Sequence, residues 1–238
     1  MKKENFLGFD VCNISADDLI NNIFIDFNNN TSNFIVNINP EIITRNYKNE
    51  EIKNIFNCQK YQIPDGIGIV IASKIKHGNI KERITGIDLM NLICKASINY
   101  DSRIFLYGAK GGIPEKAKKE LEFLYPDINI VGTSSGYVNE KKVIREINDS
   151  NANILFVGLG SPKQEEFIIK NKSELKNIKI FMPVGGSFDV VSKTLKRAPS
   201  WIIKLNLEWL YRLFQEPKRF FRQLNLIKFI LLIIFGRN

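Results

Sequence analysis

Residues 154–165 read ILFVGLGSPKQE: four apolar residues, a turn carrying two glycines, then Ser-Pro-Lys-Gln-Glu. An apolar run this short, closed by glycine and followed by a helix start, reads as a strand-turn-helix unit. The same unit recurs on either side of it. Apolar runs bounded by turn residues lie at Phe34–Ile38, Arg103–Tyr107, Ile128–Val131 and Ile178–Met182. Amphipathic stretches at Gly86–Ser97, Pro114–Leu124 and Pro162–Asn171 alternate with them, with Thr85, Gly112 or Ser161 at or just before their start and Pro or an acidic residue in the first turn, as helix starts require. This alternation predicts an α/β fold, a Rossmann-like, largely parallel sheet flanked by helices.

Open sheets of that kind bind ligands at the carboxyl ends of their strands, so the residues after each run carry the most weight. Those segments are Asn37–Pro40, Gly108–Gly112, Gly158–Pro162 and Pro183–Ser187, and three of the four are rich in glycine. Glycine lets backbone N–H groups approach an anion, and a following helix adds the positive end of its dipole. Gly158, Gly160, Gly185 and Gly186 are therefore candidates for holding a phosphate. None of the segments is a complete fingerprint: GAKGG at 108–112 departs from GxGxxG, and no GxxxxGK[ST] occurs. Each alone also reads as an ordinary strand-to-helix turn; together they favour a nucleotide.

The residue inventory narrows the chemistry. Histidine occurs once, at His77 in a polar stretch, which removes Ser-His-Asp triads and HExxH zinc sites. No Asp-x-Asp occurs, so a diphosphate is expected to be neutralised by Arg, Lys and backbone N–H groups, with no metal and no other cofactor. Asp65, in Ile63-Pro64-Asp65-Gly66, is placed to act as a general base, or alternatively to cap the helix that follows. Arg83 precedes a Thr85-x-x-Asp88 capping box, and reads either as an anion ligand or as a solvated surface arginine. Ser161 and Gln164 likewise have the spacing of a capping box, a structural role for Gln164 that competes with ligand binding. Cys12, Cys58 and Cys94 form no close pair, which points to a reducing compartment and not to a disulfide framework.

Charge is concentrated at one end. The chain of 238 residues has a formal net charge of +9, and its last 46 residues hold ten Lys/Arg against two Asp/Glu. There, basic side chains alternate with Trp201, Trp209, Phe214, Phe220 and Phe221 before the apolar run Phe229–Phe235. That run is too short for the ~20 residues a membrane span needs. The expected reading is a helical appendage lying on an anionic membrane surface; a helical pair packed on the body and a nucleic-acid patch are the alternatives, the latter disfavoured by the aliphatic run. The expected division is a catalytic α/β domain at 1–195 and an appendage at 196–238, with self-association where no bilayer covers the apolar tail. The N-terminus has a basic start without an apolar core, so a cytoplasmic location at the inner membrane face is expected.

Read in order, NINPEI at 37–42, PDGIGIV at 64–70, ERITGIDL at 82–89, GLGSPKQE at 158–165, VGGSFDV at 184–190, KRAP at 196–199 and LEWLYRLFQEPKRFFRQ at 207–223 resemble the WecG/TagA/CpsF family of bacterial glycosyltransferases, glycosyltransferase family 26. The resemblance implies inverting, metal-independent transfer from a UDP-sugar donor to a polyprenyl-diphosphate-linked N-acetylglucosamine acceptor. In the TagA branch the donor is UDP-N-acetylmannosamine and the product commits lipid carrier to wall teichoic acid; elsewhere in the family N-acetylmannosaminuronic acid, glucose or galactose is the alternative. It further implies that Asp65 is the base, that Asn37, Asn39 and Arg83 are polar site residues, that Gln164 contacts the sugar, and that Arg212, Arg219 and Arg222 engage the acceptor diphosphate. The chain departs from the branch at Asn37, where Thr is usual, which bears on donor-sugar identity.

Overall fold

A computed structural model describes residues 1–215 and 220–236, and the side chains of these except 220–223. The chain opens with an antiparallel hairpin, β1 (Lys3–Phe6) and β2 (Phe9–Cys12). There follow α1 (Ala16–Asn28), β3 (Asn33–Ile38), α2 (Pro40–Asn46), α3 (Glu50–Asn57), β4 (Tyr61–Pro64), α4 (Ile67–Ile75) and α5 (Gly86–Ser97). The second half alternates β5 (Ile104–Gly108), α6 (Ile113–Leu124), β6 (Ile130–Ser134), α7 (Glu140–Asp149), β7 (Ile154–Gly158), α8 (Lys163–Asn171), β8 (Ile180–Pro183) and α9 (Ser187–Val191). It ends with α10 (Ser200–Lys204), α11 (Glu208–Gln215) and α12 (Phe220–Phe235).

Six strands form one parallel sheet in the order β4-β3-β8-β7-β5-β6. Every residue of β3, β5, β7 and β8 is buried, which is why these strands read as apolar runs, broken in β3 by Asn37, and not as alternating ones. Successive side chains still go to opposite faces. Phe34, Val36, Leu155, Val157 and Phe181 pack with α2, α4, α7 and α8, whereas Ile35, Ile154, Phe156, Ile180 and Met182 pack with α1, α5, α6 and α9.

The expected α/β architecture with a parallel sheet is the observed one, and the stretch Gly86–Ser97 is a helix with those bounds. The apolar stretch Ile67–Ala72 is the start of α4, the helix that follows Asp65. The strand expected at Ile128–Val131 lies at Ile130–Ser134, and the N-terminal hairpin, which the sequence reading did not include, turns at Leu7-Gly8 with positive φ at both residues.

The C-terminal helix α12 lies against α2 and α4. Phe229 is fully buried in the same core cluster as Ile42, Ile43 and Ile69, and the Lys228 ammonium stands 5.6 Å from the centre of the Tyr47 ring. The seat depends on Gly68, because a Cβ there would lie 2.5 Å from Pro40 Cγ and 2.7 Å from Leu226 Cδ1. Gly68→Ala is therefore expected to cost about 1–3 kcal/mol through overpacking and to expose α12 to limited proteolysis ahead of the sheet. Equal protection of α12 in the variant would show that the helix does not depend on this notch. Among the described residues no helix is long and apolar enough to cross a membrane.

Candidate active site

Strand register brings the first two site residues together. Ile38 pairs with Pro64 at the ends of β3 and β4, so Asn39 and Asp65 emerge side by side, and the Asp65 N–H donates to Ile38 O at 2.9 Å. Asn39 caps α2, its Oδ1 accepting from the Ile42 N–H at 2.9 Å. That bond orients the amide and leaves Nδ2 to donate to Asp65 Oδ2 at 3.4 Å.

Asp65 itself does not cap a helix. Gly66 is the N-cap of α4, with φ +91° and open space where a Cβ would stand, so its glycine serves the backbone turn. The carboxyl of Asp65 is thereby left to the cavity. Burial pushes its pKa up to about 6, against the Asn39 hydrogen bond and the positive charges of Arg212 and Arg83, with Glu208 adding to the rise.

A cavity of about 490 Å³ opens at the carboxyl ends of β4, β3, β8 and β7. Asn37, Asn39, Asp65, Arg83, Gly158, Gly160, Gln164, Gly185, Gly186 and Arg212 all line it. Gly160 and Gly185 have φ of +78° and +53° and face open space on the side a Cβ would occupy, whereas a Cβ on Gly158 would meet the Phe188 ring at 2.7 Å. The third glycine-rich turn, 108–112, is absent from this lining. Ala109 N–H instead donates to Gly158 O at 2.8 Å, and a Cβ on Gly108 would lie 2.4 Å from Gly158 C, so glycine there permits two strand ends to touch.

Two expectations about capping are corrected. Helix α8 begins at Lys163 with Pro162 as its N-cap, so Gln164 falls at the second helical position and the Ser161 box does not form. Ser161 Oγ accepts from Arg45 Nη1 at 3.2 Å. Gln164, 5% exposed, ties two turns together: its Oε1 accepts from the Gly185 N–H at 2.9 Å and its Nε2 donates to Glu165 Oε1 at 2.9 Å. At α5 only half the box forms: Thr85 accepts from the Asp88 N–H at 3.3 Å, while the Asp88 carboxylate takes Thr85 Oγ1 and the Arg197 guanidinium.

Arg83 is not a solvated surface arginine. Its side chain is 14% exposed, Nη2 donates to Ile203 O at 3.3 Å, and the Glu208 carboxylate stands 3.8 Å away. Asn37 donates through Nδ2 to Pro183 O at 2.9 Å, which turns its Oδ1, buried and without a hydrogen-bond partner, into an available acceptor. Arg219 lies outside the described residues, as does the side chain of Arg222 in α12. His77 sits in an exposed turn.

Among the lining residues that the sequence reading did not assign to the site are Glu165, Glu208 and Trp209, the last read there only as an aromatic of the tail. Glu165 has one oxygen on Gln164 and the other, Oε2, buried without a partner, and burial raises its pKa. In sequence a glutamate in the first turn of a helix reads as dipole compensation, so nothing marks it out. Glu208 and Arg212 do have a legible i,i+4 spacing; what is invisible is that Arg83, from far along the chain, closes on the same carboxylate.

A second cavity of about 200 Å³ shares Asn39, Glu41, Asp65, Gly66, Arg83 and Trp209 with the first. Its own walls are Pro40, Ile67, Gly68 and Leu226, so it leads from Asp65 towards α4 and α12. Chemically, the arrangement offers a proton acceptor between two spaces, beside two guanidinium groups and backbone N–H groups suited to an anionic leaving group. Among the described residues no group of three or more His, Cys, Asp or Glu is placed to hold a metal ion.

The chain is 37% identical over 201 residues to an N-acetylglucosaminyldiphosphoundecaprenol N-acetyl-beta-D-mannosaminyltransferase of Bacillus subtilis (strain 168), covering 84% of this chain and 78% of the relative. It is 34% identical over 221 residues to a protein of the same name from Staphylococcus aureus (strain MRSA252), covering 91% and 86%. The model of the glycosyl transferase WecG/TagA/CpsF family matches residues 4–237, and the chain belongs to that glycosyltransferase family.

Proposed function

We propose that the protein transfers N-acetylmannosamine from UDP-N-acetylmannosamine to the 4-hydroxyl of a polyprenyl-diphosphate-linked N-acetylglucosamine, with inversion, in the synthesis of wall teichoic acid or a related surface polymer. The observation that carries this reading is the position of Asp65 on the border of two cavities. The larger, with its glycine turns, suits a nucleotide diphosphate; the smaller, with apolar walls reaching α12, suits an acceptor whose tail is lipid.

In this reading Asp65 takes the proton of the acceptor hydroxyl as that oxygen bonds to the anomeric carbon of the donor. The bond from that carbon to the diphosphate oxygen breaks on the opposite face, and UDP carries away the electron pair. The charge on UDP is met by N–H groups of the turns after β7 and β8, other than that of Gly185, which Gln164 holds, and by Arg83 and Arg212. No metal is assigned a part.

We further assign residues 1–195 as the catalytic domain and 196–238 as an appendage resting on the inner membrane face. Supporting this, Leu224, Ile227, Leu231 and Ile234 recur at helical spacing in α12 and are exposed, as are Ile71, Lys74 and Ile75 of α4, against which α12 packs, and Lys228. Trp201 in α10, Leu205 at its end and Phe214 in α11 are exposed as well. That composition suits an anionic bilayer.

Gln164 lines the larger cavity alone, so Gln164→Ala is expected to raise the donor KM at least about tenfold, the order of a lost buried hydrogen-bond partner, with the acceptor KM little changed. Initial rates of UDP release over a panel of UDP-N-acetylmannosamine, UDP-N-acetylmannosaminuronic acid, UDP-glucose and UDP-galactose test the donor. Preference for another sugar would overturn the assignment of N-acetylmannosamine.

A further inference from the structure

Glu208 is nearly fully buried, at 5% exposed, yet it stands in the wall of a cavity that has to receive anions. A buried carboxylate there would oppose a diphosphate unless its charge were already engaged. It is engaged by three guanidinium groups from three separate segments. Arg212 Nη2, one turn on in α11, lies 3.4 Å from Oε1; Arg197 Nε, from the segment after α9, lies 3.8 Å from the same oxygen; Arg83 Nη2, from the segment before α5, lies 3.8 Å from Oε2. Among the described residues Arg197 Nε has no hydrogen-bond partner, and Arg83 makes one bond, to Ile203 O.

We propose that Glu208 is a positioning residue: its carboxylate gathers Arg83, Arg197 and Arg212 beside the reaction centre and offsets part of their positive field at Asp65. The proposal rests on the reading of Asp65 as the base. Without Glu208, three like charges drawn from separate segments would repel one another and splay, and Asp65 would face two cations unopposed. A carboxylate so placed is a weak proton acceptor, which is the wrong direction for a base. With Glu208 present, Arg83 and Arg212, which line the cavity, stay within reach of a diphosphate while Asp65 keeps its affinity for a proton. The groups facing Asp65 are Arg83 from the segment before α5, Arg212 and Glu208 from α11, and the Asn39 amide from the head of α2. Glu41 lines both cavities with Asp65; Glu165 and Asp189 line the larger one, and Asp88 shares Arg197.

The test is a carbon-13 carboxyl NMR titration of the full chain, with the Asp65 signal identified by its loss in Asp65→Asn. In Glu208→Gln the Asp65 midpoint is expected to move to lower pH, and in Arg212→Gln to higher pH. An Asp65 midpoint unmoved in Glu208→Gln would overturn the proposal. Should that variant not fold, the charge-balanced pair Glu208→Gln with Arg212→Gln replaces it: its midpoint falls below that of Arg212→Gln alone if Glu208 acts at Asp65, and matches it if Glu208 does not. The acid limb of turnover on the same variants separates the two readings. A midpoint that moves while the limb stays in place supports the role of Glu208 and instead overturns Asp65 as the base.

Discussion

Asp65→Asn is expected to lower turnover by about 10²- to 10⁴-fold, the usual cost of removing a general base, while donor binding and fold are kept. Asn retains the shape and a hydrogen-bonding partner for Asn39 but cannot accept the hydroxyl proton. Because burial raises the Asp65 pKa to about 6, the wild-type rate is expected to climb through an acid limb near that pH and to level off above it. Stability moves the other way. The folded chain holds this proton more tightly than the unfolded chain, whose carboxyl titrates near 3.8, so stability is lost as pH rises from about 4 through 6. Above that window the ionised, partly desolvated carboxylate costs on the order of 1–2 kcal/mol, allowing for its contact with the cavity. Asp65→Asn is thus expected to raise Tm at pH 7.5 and to have little effect at pH 4. Thermal melts at both pH values check the sign; a variant less stable at pH 7.5 would make Asp65 a structural group, and near-wild-type turnover would remove it from the mechanism.

Truncation after Lys196 is expected to abolish transfer while leaving UDP binding in place. The cut removes Trp209, Arg212 and Leu226 from the two cavities, and with Glu208 it removes the charged partner of Arg83. It leaves the glycine turns and the Gln164 bond to Gly185, which belong to β7, β8 and the helices after them. It also withdraws Phe229 from the core and uncovers α2 and α4, so the truncated chain calls for detergent or a solubilising partner during handling. Binding to vesicles containing anionic lipid is expected to fall with it, since the exposed apolar strip of α12 and most of the excess positive charge go together. Wild-type transfer by the truncated chain would make the appendage dispensable for chemistry.

The sheet was legible because parallel strands buried on both faces announce themselves as short apolar runs, and β3, β5, β7 and β8 are of that kind. The site was legible in part for the same reason: strand ends collect ligand-facing residues, and the ends of β3, β4, β7 and β8 supply the cavity. Glycine content alone did not discriminate, since the turn at 108–112 uses its glycines to let Gly108 and Gly158 touch. Spacing misassigned Gln164 because a helix beginning one residue later turns a cap partner into a bridge to Gly185. Burial was beyond the sequence altogether. Glu165 and Glu208 look like ordinary first-turn acids until the fold places Gln164 on the one and Arg83 on the other. The residue reading raised Asp65 and Arg83 as candidates and left each with a competing reading, as cap and as surface charge; the resemblance chose between them, and the structure does not support the competing ones.

The proposed transfer uses Asp65 as the base and needs no metal. Its most direct test is UDP release in EDTA by the purified chain, given UDP-N-acetylmannosamine and a short-chain lipid-diphosphate N-acetylglucosamine, beside Asp65→Asn. Release is expected to require the acceptor, to persist in EDTA and to fall at least about 10²-fold in the variant. Release that vanishes in EDTA, proceeds without acceptor or survives the substitution would contradict it.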